Sequence, residues 1–177
     1  MPYGEKSSDA MIEYAENIAL WMAGRGCEWV VIACNSASSV AYEAVRSILP
    51  SYVKVLNVID PVVEYVAQNF SNKRVGILAT QSTVASQAYP HRIKNLNSSI
   101  QCHQMAAPML AAAIENQNIE IIDDLLALYL CQAEHLDALV LACTHFPLIK
   151  DRMSEYLSPS VEVIDGTERV IDSLVSL

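Results

Sequence analysis

Two cysteines carry the first chemical signal in this sequence. Cys34 ends the apolar run of "VVIACNSAS", and Cys143 ends that of "LVLACTHFP". Each run of β-branched and aliphatic residues stops at Ala-Cys and breaks into small polar residues, which predicts a thiol at the carboxyl end of a buried strand, at the turn into a helix. Ser36 or Ser38 after Cys34, and Thr144 after Cys143, suit helix N-caps, while Pro147 suits a first helical turn. A thiol at a helix amino terminus meets free backbone N–H groups and the positive end of the dipole, and both favour the thiolate. Two such thiols on opposite faces of one carbon acid can invert it. One, as thiolate, removes the Cα proton while the other, as thiol, delivers a proton to the far face, and the roles exchange for the reverse reaction. Being far apart in sequence, the pair can sit on different lobes and face each other across a cleft.

Packing is the competing explanation, because a free Cys beside an apolar strand often serves as a small buried hydrophobe. Cys27, Cys102 and Cys131 are read that way; the duplicated context sets Cys34 and Cys143 apart. His145, in the same turn as the second thiol, is placed to hold or relay its proton. His91, His103 and His135 have no such neighbour. Tyr3-Gly4 in "MPYGEK" is a turn signal whose Tyr hydroxyl and backbone N–H can contact a carboxylate. The five cysteines are odd in number and show no Cys-x-x-Cys spacing, which argues against a disulfide framework and a zinc ribbon and points to a reducing, cytoplasmic compartment.

The elements that must hold these groups follow from patterning. Helices are predicted over 8–23, 38–49, 61–70, 84–95, from Pro108, over 119–134 and 147–157, and from the last strand to Leu177. Strands are predicted over 29–33, 52–58, 75–79, 100–105, 138–142 and 161–164. Alternating apolar strands and helices mean an α/β fold with parallel sheets covered on both faces. "NFSNKR" is the best lobe boundary. A weak echo links "VVIACNSAS", "VGILATQST" and "LVLACTHFP", each ending an apolar run on a small residue and then Cys or Thr. Ligands of parallel sheets bind at that end. The 177 residues suffice for one domain or two small lobes, and 53% of them are hydrophobic. No run reaches the roughly 18 apolar residues of a membrane span, and Glu5, Asp9, Glu13 and Glu16 argue against a signal peptide. A net charge of -9 without a Lys/Arg cluster disfavours nucleic acid as a partner.

In this order and spacing, "PYGEKS", "VIACNSAS", "VGILATQST" and "LACTHFPLI" resemble the glutamate racemases of the cofactor-independent aspartate/glutamate racemase family, over essentially the whole chain. The resemblance implies two pseudo-symmetric lobes with the active site between them, and no pyridoxal phosphate, metal or nucleotide. By motif, Cys34 and Cys143 match the two proton-transferring thiols. Tyr3, Gly4, Asn35, Ser36, Thr144 and His145 match substrate-contacting positions, with Ser36 where Thr is more usual. Glu115 matches a carboxylate near the second thiol, and Thr83 falls in a Thr-x-x-Thr stretch. The His of "ACTH" favours glutamate over aspartate.

Family members begin with a strand and an Asp-Ser-Gly-rich loop ahead of the "PYG" turn, so the first strand of the N-terminal lobe is expected to be missing and activity to suffer. The resemblance implies an N-terminal lobe of residues 1–71 and 163–177 and a C-terminal lobe of 72–162. The expected function is interconversion of L- and D-glutamate for peptidoglycan precursor supply. Dimers are frequent in the family, and the apolar content is compatible with a homodimer. The rival readings are a non-catalytic racemase-like binding protein, a racemase of aspartate or another amino acid, and a thiol redox protein.

Overall fold

The structure, a computed structural model, describes residues 6–175. Helix α1 (Ser8–Ala23) begins where Ser7 Oγ accepts from the Ala10 N–H at 3.3 Å, and it buries Met11 and Ala19. It stops at Gly24, and the following turn needs Gly26 at φ +83°, a backbone state that glycine adopts without strain. Strand β1 (Trp29–Ile32) leads into α2 (Asn35–Ile48), and β2 (Lys54–Asn57) into α3 (Asp60–Asn69). Strand β3 (Arg74–Ala79) is followed by α4 (Gln81–Ser86) and α5 (Ala88–Leu96), and β4 (Gln101–Ala106) by α6 (Leu110–Glu115) and α7 (Ile119–Leu130). Strand β5 (Ala138–Ala142) enters a 3-10 turn (Phe146–Ile149) and α8 (Lys150–Ser154), and β6 (Glu162–Asp165) enters α9 (Gly166–Val175).

Several boundaries differ from the sequence expectation, each for a local reason. Helix α2 starts at Asn35 rather than Ser38, because Cys34 itself takes the extended N-cap conformation and neither Ser36 nor Ser38 caps. Their hydroxyls are engaged elsewhere: Ser38 Oγ donates to the Ile32 carbonyl at 2.8 Å, and Ser36 Oγ pairs with Thr80. The expected helix over 84–95 is two helices. Pro90 has no N–H to give to Ser86, and the chain turns through Gln87 at φ 56° before α5 starts. Beyond β5, Thr144 is not a cap either. His145 opens the 3-10 turn, with Pro147 in its first residues as expected.

Among the described residues the strands form two parallel sheets, a two-stranded one of β1 and β2 and a four-stranded one in the order β4-β3-β5-β6. The fold is α/β, with helices flanking both sheets. In the larger sheet, β5 is buried along its whole length. Gly76 of β3 is needed there, since a Cβ would lie 2.5 Å from Leu136 Cδ1. One face packs on α6 and α7 through Leu110, Ile122 and Leu126, the other on α3 and α5 through Val62, Val66, Tyr89 and Ile93. Strand β1 buries only Val30 and Ile32, against Ala19, Ala41 and Val45, and leaves Trp29 and Val31 exposed.

Two segments of the expected N-terminal lobe pack with the four-stranded sheet. Residues 163–165, expected in the N-terminal lobe, belong to β6 and hydrogen-bond to β5, whose second edge is otherwise open. Helix α3, also expected there, covers the four-stranded sheet with its apolar face, and α9 packs against α3. No described helix is long and apolar enough to cross a membrane.

Candidate active site

The parallel register collects the site at one rim. Ala79 of β3 lies opposite Ala142 of β5, so the next residues, Thr80 and Cys143, emerge side by side at the carboxyl ends of the strands. Cys34 emerges in the same way from β1 as the N-cap of α2. The first N–H groups of that 14-residue helix have no intrahelical partner and are available to an anion.

Cys143 is buried and Cys34 half-buried, and each is a free thiol. Burial pushes the Cys143 thiol from an ordinary 9.0 up to about 11. The nearby Cys34 and Glu115 add to this, while hydrogen bonds from the His145 and Phe146 backbones oppose it. Cys143 is therefore a protonated acid at rest, electrostatically coupled to Cys34. Its Sγ lies 3.7 Å from His145 Nδ1, and His145 Nε2 lies 2.8 Å from Glu115 Oε1. A proton on Nε2, donated to Glu115, leaves Nδ1 as an acceptor facing the thiol. The result is a Cys143–His145–Glu115 relay running from the buried sulfur to the surface, where Glu115 is exposed.

A cavity of about 420 Å³ opens beside this rim, lined among others by Asn35, Cys143, Thr144, Asp165 and Thr167, with Val31, Val58 and Ile171 on its apolar side. Cys34 opens onto a second cavity of about 310 Å³ between β1 and α1. Val31 and Ala33 line both cavities, so the two spaces adjoin at the end of β1.

The structure brings Cys34, Asn35, Ser36, Thr83, Glu115, Cys143, Thr144 and His145 to this rim; Tyr3 and Gly4 lie outside the described residues. Two of the expected substrate contacts have side chains committed inward. Ser36 Oγ is 2.8 Å from Thr80 Oγ1, which is 3.2 Å from Thr83 Oγ1, and Ser36 and Thr83 are buried. Ser36 is thus left with its backbone N–H to offer a ligand. Thr80 was visible in sequence only as the Thr of the "LATQST" echo. Tyr89, whose hydroxyl donates to Asn35 Oδ1 at 2.7 Å, carries no such signal: it reads as one more apolar residue of a helix.

Of the three cysteines read as packing, Cys102 is half-buried in β4 with its thiol pushed up to about 11 by burial, and Cys27 is half-buried. Cys131 is exposed instead, and its Sγ donates to the Leu128 carbonyl at 3.0 Å at the end of α7. Among the described residues no group of three or more His, Cys, Asp and Glu side chains is arranged to hold a metal ion.

Comparison with known proteins agrees with this architecture. The chain is 30% identical to a glutamate racemase of Sulfurihydrogenibium sp. (strain YO3AOP1) over 188 aligned residues, covering 100% of this chain and 69% of that one. A glutamate racemase of Desulforudis audaxviator is also 30% identical, with 93% of this chain matching 61% of it. The chain thus spans between 61% and 69% of the length of these two relatives. Among solved structures, the glutamate racemase of Francisella tularensis in complex with D-glutamate superposes with a TM-score of 0.91 at 28% identity, covering 99% of this chain and 66% of that one. The model of the Asp/Glu/Hydantoin racemase family matches residues 3–174. This chain belongs to the Asp/Glu/Hydantoin racemase family.

Proposed function

We propose that this chain acts as a glutamate racemase, inverting the α-carbon of glutamate by proton transfer between Cys34 and Cys143. One observation carries the reading: two thiols from two different sheets meet at one rim, and only Cys143 is buried, held as an acid and backed by a His–Glu relay. In the forward direction Cys34, as thiolate, takes the Cα proton, and Cys143 S–H delivers its proton to the opposite face. Cys34 ends as thiol and Cys143 as thiolate, the pair required for the return reaction. His145 and Glu115 exchange the Cys143 proton with solvent between turnovers. The free N–H groups opening α2, the Asn35 amide and Thr144 bind the carboxylates.

Glutamate as the substrate is supported by the names of the relatives and by the bound D-glutamate of the Francisella protein. Within this reading the product supplies D-glutamate to peptidoglycan precursors, and the protein works in the reducing cytoplasm. For the lobes, we propose a division in which α9 and the β1–β2 unit flank one side of the cleft and the four-stranded sheet the other.

A second reading, a racemase-like binding protein, is favoured by the exposed Trp29 and Val31 of β1 beside the 310 Å³ cavity. Incubation with L-glutamate in heavy water separates the two. The racemase incorporates deuterium at Cα and loses this in both Cys34→Ala and Cys143→Ala. An exchange rate unchanged in the two variants contradicts the two-thiol mechanism, and no exchange with glutamate binding retained supports the binding protein.

A further inference from the structure

The Asn35 side chain is a fork with two unlike ends, an acceptor Oδ1 and a donor Nδ2, and which end faces a ligand decides whether it attracts or repels a carboxylate. The residue follows Cys34 and lines the cavity that holds Cys143 and Thr144. Its Oδ1 is taken: the Tyr89 hydroxyl donates to it at 2.7 Å, from helix α5 on the far side of the rim. Tyr89 is 1% exposed, and among the described residues Asn35 is the hydrogen-bond partner of its hydroxyl. Burial raises the Tyr89 pKa far above its ordinary value, so the hydroxyl keeps its proton and remains a donor at any working pH. Turning the amide over would set an N–H₂ against that O–H, leaving a buried donor without an acceptor, which costs more than the bond itself is worth.

We propose that Tyr89 is a positioning residue for substrate recognition: by holding Asn35 Oδ1 it fixes the amide so that Nδ2 donates to a carboxylate oxygen of the bound amino acid. This rests on the racemase reading above. Tyr89 touches no substrate and acts only through Asn35. Without its hydroxyl nothing holds Oδ1 away from the ligand, and an amide turned to present Oδ1 repels a carboxylate.

The test is a double-mutant cycle on the full chain, reading D-glutamate affinity by calorimetry and the maximal Cα-exchange rate in heavy water. Tyr89→Phe keeps the ring that packs with Ile93 and Ala88 and removes only the hydroxyl. It is expected to weaken D-glutamate binding by about tenfold, the scale of one buried hydrogen bond, and to leave the maximal exchange rate within about twofold, because the proton-transferring thiols are untouched. Asn35→Ala weakens binding at least as much, and Tyr89→Phe added to Asn35→Ala weakens it no further. Asn35→Asp keeps an acceptor for Tyr89, and hence the wild-type melting temperature, but removes the donor and loses binding as Asn35→Ala does. Wild-type affinity in Tyr89→Phe, or a Tyr89→Phe effect of full size in the Asn35→Ala background, overturns the assignment while leaving the racemase reading standing. A wild-type chain that neither binds nor exchanges glutamate overturns both.

Discussion

The two cysteine corners share a sequence pattern and differ in almost every physical respect. Cys143 follows a strand buried along its whole length inside a four-stranded sheet, is itself buried, and has His145 beside it, held in turn by Glu115. Cys34 follows a strand of a two-stranded sheet that buries alternate residues, is half-buried, and caps a long helix without a side-chain cap hydrogen bond among the described residues. Burial pushes the Cys143 thiol up, so that thiol holds its proton at rest, and the proposed mechanism assigns the first proton abstraction to Cys34.

The largest expected effect breaks the Cys143 corner outright. Cys143→Ala should lower the racemisation rate by about 10³-fold or more, the scale of a lost proton-transfer group, with the fold retained by circular dichroism. Next comes the contrast in cores. Leu139→Ala in β5 removes a fully buried side chain and should cost about 2–5 kcal/mol of unfolding free energy in urea. Val30→Ala, in the thinner β1–β2 unit, removes less volume from a smaller cluster and should cost clearly less. Equal losses would mean that the two units share one core.

Glu115→Gln is a smaller change, because it leaves His145 in place but weakens its anchor. Racemisation should fall by about tenfold, well short of the Cys143→Ala loss. Smaller again is the pH effect on stability. Cys143 and Cys102 are both raised by burial from 9.0 to about 11, so the folded protein holds these protons to higher pH than the unfolded chain does. Their contribution is complete below about pH 9 and is lost between about pH 9 and 11. The urea midpoint should fall across that window, and less steeply in Cys102→Ala.

Much of this was legible in the sequence because the signals were local. The strand over 138–142 and the helix over 8–23 were bounded by unambiguous punctuation, and the Ala-Cys endings located the rim. What the sequence hid depends on distant partners. Ser36 and Ser38 look like caps until Thr80 and the Ile32 carbonyl claim their hydroxyls. Strand β6 reads like any short apolar run, and only the open edge of β5 determines its sheet. Tyr89 acts through Asn35, more than fifty positions earlier in the chain, and no periodicity encodes such a pair.

The central claim is that two different groups handle the proton on the two faces of the α-carbon. The direct measurement follows L-glutamate in heavy water at early conversion, with mass spectrometry of each enantiomer. A two-thiol enzyme gives D-glutamate carrying one deuterium at Cα while the remaining L-glutamate stays unlabelled, because the incoming proton comes from the face opposite the one that lost it. Deuterium appearing in the remaining L-glutamate as fast as in the product would mean that one group serves both faces, and would contradict the pairing of Cys34 with Cys143.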